Sequence, residues 1–152
     1  MKIETIRDII QWSRRYHREI ARRLAASISG SEKERLRMLM RYLADHERGL
    51  IAVLDKFQEH GELSALNTWC YDYLESWPIE KHPQFDKPFV QMDTGELVGA
   101  IEHEHNQIVA LYRHIREQVD SASAQELMDE LISLEEHSAM QAVQSANRFE
   151  DL

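Results

Sequence analysis

Three glutamates and one histidine stand at positions where a helical sequence would bury them. Around the stretch RYLADHERGLIAVL (41–54), Leu36, Leu39, Leu43, Leu50, Leu54 and Phe57 recur at helical spacing. At about 100° per residue, Glu47 falls within about 40° of the centre of that apolar stripe. His17 sits in the same way among Ile6, Ile10, Ile20, Leu24 and Ile28. Glu104 lies within the stripe Leu97, Ile101, Ile108, Leu111 and Ile115, and Glu135 within Met128, Leu131, Ile132, Ala139, Ala142 and Ala146. An ionised carboxylate in a core is costly unless something pairs with it, and three together repel one another. A divalent metal removes both problems because it supplies the positive charge. Mixed oxygen and nitrogen donors suit Fe, Mn or Zn better than Mg or Ca. His46 and His105, each about 60° from the centre of its stripe, are placed to join the ligands or to orient them. The candidate metal ligands are therefore His17, Glu47, Glu104, Glu135, His46 and His105. His103 and His137 read as surface residues, and Tyr16 and Tyr112 as hydrogen-bond donors to inward carboxylates.

Four helices must bring these groups together. The first is expected from about Thr5 to Ser29, with a turn at Gly30. Ser31 and Glu34 then have capping-box spacing, and a second helix should run to about Phe57. So short a connection makes the pair an antiparallel hairpin. Asp93 and Glu96 open a third helix that ends near Val119, and Ser123 with Glu126 caps the fourth. Between the hairpins, residues 58–93 form a long crossover. One part, IEKHPQFDKPFVQMD, holds two X-Pro steps that forbid a long helix. Depth agrees as well, because His17 and Glu47 lie at similar distances either side of Gly30, and Glu104 and Glu135 either side of Ser121. The expected fold is all-α, a four-helix bundle of two antiparallel hairpins in one domain spanning 1–152.

Composition narrows the function. A formal net charge of -9 with interspersed signs argues against nucleic acid as a partner. No apolar run approaches the roughly 20 residues that span a bilayer, and MKIETIRDIIQW is no secretory signal. The single cysteine, Cys70, rules out an internal disulfide framework and fits a reducing compartment, so a cytoplasmic location is expected. No nucleophile–base pair or glycine-rich phosphate loop is visible. Leu66, Trp69, Tyr73 and Trp77 share one side of a short crossover helix, and that aromatic surface predicts a homodimer contact.

Helix–turn–helix, long crossover, helix–turn–helix with inward glutamates resembles the plan of the ferritin-like superfamily, in particular its rubrerythrin-like members. AIEHEHNQIVALY is similar to the third helix of such proteins, and YLADHERGLIAVL and LEEHSAMQAV to the second and fourth. The resemblance covers about Ile6 to Phe149 and implies a metal site at the waist of the bundle. The superfamily's di-iron pattern is Glu-x-x-His on two helices with one Glu on each of the others. This chain keeps Glu47, Glu104 and Glu135. It has Leu50 and Ser138 where the two motif histidines would stand, and His17 where the first helix would offer Glu. The expectation is a degenerate His/Glu site for one divalent transition metal. The alternative is a structural or partner-binding bundle that has lost the metal.

Overall fold

The computed structural model describes residues 3–74 and 83–150. Among these the chain is all-helical. Four long helices dominate: α1 (Ile6–Ser27), α2 (Glu34–His60), α5 (Thr94–Gln118) and α6 (Ala122–Glu150). Two single-turn helices, α3 (Leu63–Leu66) and α4 (Tyr71–Leu74), lie between α2 and α5, and short 3-10 turns occupy Ile28–Gly30 and Phe89–Gln91. No helix among the described residues is long and apolar enough to cross a membrane.

Packing follows the apolar stripes. α1 lies along α2 and α5 along α6, while α2 also meets α5 and α6. Ile10, Ile20, Leu24, Leu39, Leu43, Leu54, Leu97, Ile108, Ile115 and Leu131 are all fully or almost fully buried. At about 1.5–3 kcal/mol for each such side chain, this core can carry the cost of polar groups buried within it.

Helix starts differ in part from expectation. Asp93 and Glu96 do form a reciprocal capping box, as do Thr5 and Asp8 on α1. Ser31 does not cap α2. Its hydroxyl accepts from the Lys33 amide at 3.3 Å, a local turn that delays the helix to Glu34. The residue that caps α6 is Ser121, whose hydroxyl accepts from the Ala124 amide, because that helix begins one residue before Ser123.

The crossover also departs from expectation. α2 continues to His60, so the connection starts at Gly61. Leu66 and Trp69 do not share a face: Leu66 is buried, whereas Trp69 is 49% exposed. Residues 68–70 run extended beside the chain entering α1, where the Ile6 amide donates to the Thr68 carbonyl (3.1 Å) and the Cys70 amide to the Glu4 carbonyl (2.7 Å). That pairing divides the expected helix in two. The side chain of Tyr73 and all of Trp77 lie outside the described residues.

Candidate metal centre

Each long helix delivers one side chain to a closed ring. The residues are His17 on α1, Glu47 on α2, His105 on α5 and Glu135 on α6, none more than 1% exposed. His17 Nδ1 meets Glu47 Oε2 at 2.6 Å, and His17 Nε2 meets Glu135 Oε1 at 2.7 Å. His105 Nε2 meets the other Glu47 oxygen, Oε1, at 2.5 Å. The ring closes less tightly at its last side, where His105 Nδ1 and Glu135 Oε2 are 3.8 Å apart. These last two atoms are buried with no hydrogen-bond partner among the described residues. The two imidazoles cross almost at right angles, with ring centres 5.1 Å apart.

The electrostatics follow from this arrangement. Burial alone would lower the His17 pKa, but the charges and hydrogen bonds of Glu135 and Glu47 outweigh it and lift His17 to about 10. Both of its nitrogens face carboxylate oxygens, so in the metal-free protein both must donate. His105 is raised for the same reason, chiefly by Glu47 against its own burial. Burial pushes Glu47 up, yet His105 and His17 hold it well below the usual carboxylate range.

Two further buried hydrogen bonds join α1 to α5. The Tyr112 hydroxyl shares a 2.5 Å hydrogen bond with Ser13. Burial, with the Glu135 charge, raises the Tyr112 pKa well above its ordinary value. Tyr16 donates to Glu104 Oε2.

Of the six residues singled out in the sequence, four are brought together and two are not. Glu104 is buried but turned to Tyr16, and His105 occupies the ring position on α5 instead. Helical angle placed Glu104 nearer the stripe centre, yet consecutive residues differ by about 100°, so both can enter a core between two neighbours. His46 is half-buried, with Nε2 at 2.7 Å from the Ser138 hydroxyl and 3.1 Å from its carbonyl. Its burial lowers its pKa. Ser138, read only as a missing histidine, is thus the partner of a present one. His103 and His137 are exposed. Cys70 is buried among apolar groups, which pushes its thiol up to about 12 and leaves it a poor nucleophile.

The donor set fits a metal. His17, His105 and Glu135 each bring a ligand atom within 4.8 Å of the other two. Glu47 engages His17 Nδ1 and His105 Nε2, so the other nitrogen of each imidazole, His17 Nε2 and His105 Nδ1, faces Glu135. A carboxylate on the far nitrogen of each imidazole is what metal-bound histidines usually have, because it fixes the tautomer and the ring orientation. No protein-family model, curated protein or solved structure matches the chain.

Proposed function

We propose that the protein binds one divalent transition metal, Fe, Mn or Zn, through His17, His105 and Glu135, with Glu47 orienting both imidazoles. The observation that carries this reading is the pair of orphaned buried atoms, His105 Nδ1 and Glu135 Oε2, 3.8 Å apart. Buried polar atoms are rarely left without a partner. These two are of types that ligate such metals, and they belong to a set whose other members are already oriented. Two imidazoles and one carboxylate leave coordination positions open, so the bound ion would supply Lewis-acid or redox chemistry to a small ligand. The test is metal content and thermal stability with and without chelator, in wild type and in Glu135→Gln.

One observation favours a metal-free reading. Both His17 nitrogens are engaged by carboxylates at 2.6 and 2.7 Å. Two imidazolium and two carboxylate groups would cancel, giving a buried ion network that holds four helices in register. The chelator experiment separates the two, because only the metal reading predicts a chelator-dependent melting temperature.

The architecture that fits this site is a four-helix bundle of ferritin-like topology. Support comes from the pairing of α1 with α2 and α5 with α6, from contacts between the pairs, and from the long connection after His60. The site differs from the di-iron arrangement in having two imidazoles and in lacking a histidine three residues after either ring glutamate, where Leu50 and Ser138 stand. A homodimer contact through the connection is part of the same reading, supported by the exposed Trp69 indole and by Leu63, six residues before it and 67% exposed.

A further inference from the structure

Glu104, left out of the ring, is a buried carboxylate that lines a cavity. A cleft of about 640 Å³ lies between α5 and the segment before it, lined among others by Phe85, Met92, Gly99, Ala100 and Glu104. Its volume is that of a small-molecule site. Met92 and Glu104 are buried, and Glu104, only 2% exposed, is both part of the protein interior and part of the cleft's lining. Tyr16 donates to Oε2 from the opposite helix and fixes the carboxyl group in place. Gly99 contributes space: a Cβ there would meet nothing within 4 Å.

The remaining charges in the lining favour one sign of ligand. Three carboxylates, Asp86, Glu96 and Glu104, stand against Lys87 and His103. Lys87 is ion-paired with Glu96. The Gln107 amide nitrogen, which can only donate, lies 2.8 Å from His103 Nε2 and makes that atom an acceptor. What is left is an acceptor-rich pocket with an apolar wall and a carboxylate at its base. A carboxylate in such a place, shielded from water, is strengthened as an ion-pair partner.

We propose that this cleft binds a small organic cation, an alkylammonium or alkylguanidinium, with its charged head on Glu104 and its alkyl part against Met92 and Ala100. The site is separate from the metal reading and stands if that reading fails.

The experiment is calorimetric titration of the purified full chain with n-butylammonium and n-butylguanidinium, and with butyrate as a matched anion. Both cations are protonated at neutral pH and have no lone pair to offer a metal, so binding at the ring is not mistaken for binding at the cleft. The expected result is that both cations bind wild type and butyrate does not. Glu104→Gln, which keeps the shape and removes the charge, should weaken binding about tenfold or more. Gly99→Leu should do the same by filling the cleft. It replaces an exposed helical glycine with a better helix former and so keeps the fold. Should Glu104→Gln fail to fold, Gly99→Leu still decides. Absence of cation binding to wild type would overturn the proposal. So would a Glu104→Gln or Gly99→Leu variant that binds as wild type does.

Discussion

His105 Nδ1 and Glu135 Oε2 lie 3.8 Å apart in the interior, and neither has a hydrogen-bond partner among the described residues. Every other polar atom of the same ring is engaged at 2.5–2.7 Å. Their attraction across 3.8 Å offsets part of a desolvation cost of about 1–3 kcal/mol each, and no hydrogen bond offsets the rest. A cation with affinity for both atoms recovers that cost, which is the physical basis of the metal reading.

Glu47 is the hinge of the ring, because its two oxygens hold different histidines. Glu47→Leu leaves both imidazoles without the charge that keeps them protonated in the metal-free protein. Breaking a buried pair from one side costs about 3–5 kcal/mol, and a loss of this size is expected in urea unfolding. Glu47→Gln keeps the shape and should cost less, while lowering metal occupancy through the freed imidazole orientation. A Glu47→Leu variant more stable than wild type would show that the ring is a burden on the fold and not a support of it.

The ring sets a pH dependence whose sign depends on the metal. In the metal-free protein His17 is raised to about 10, so its contribution is full below its unfolded value near 6.5 and is lost as pH rises towards about 10. Glu47 is depressed, so its contribution is present above about 4.5 and is lost as pH falls below that. Metal-free stability should therefore decline from about pH 7 to about pH 9, by on the order of 1 kcal/mol per unit. A bound metal displaces those protons, so its affinity rises over the same interval. Urea midpoints with and without added Zn should diverge as pH rises. Parallel curves would count against metal binding at these histidines.

Tyr16 and Glu104 should behave as a unit apart from the ring. Removing the donor in Tyr16→Phe leaves Glu104 buried without its hydrogen bond, at an expected cost of about 1.5–3 kcal/mol. Metal content should not change. A Tyr16→Phe protein that loses metal would mean that Glu104 belongs with the ligands after all.

Much of this was legible in the sequence because helical periodicity is a one-dimensional signal. The four long helices appear within a few residues of their expected limits, and Asp93 with Glu96 caps α5 as its spacing demands. His17, Glu47 and Glu135 were marked by their angle alone. His105 was also among the candidates, but that it and not Glu104 meets the ring was not legible, since the choice between adjacent residues depends on which neighbouring helix offers Tyr16 and which offers Glu47. The break in the helix expected around Trp69 came from backbone pairing with residues 4–6, a contact between segments far apart in sequence. Local pattern carries no record of such a pairing.

Self-association is expected through the connection between the hairpins. Trp69 is 49% exposed and Leu63 67% exposed, apolar surface that a second copy of the chain would remove from water. Sedimentation equilibrium should give a dimer at micromolar concentration, and Trp69→Gln with Leu63→Gln should give a monomer of unchanged helix content. A wild-type monomer would contradict this.

The central claim is that His17, His105 and Glu135 hold a metal. The direct measurement is elemental analysis of the untagged protein purified without added metal, followed by thermal unfolding with and without chelator. The account predicts close to one equivalent of Fe, Mn or Zn, a lower melting temperature after chelation, and loss of both effects in Glu135→Gln. A protein that carries no transition metal after incubation with each of the three, and melts identically with and without chelator, would contradict it.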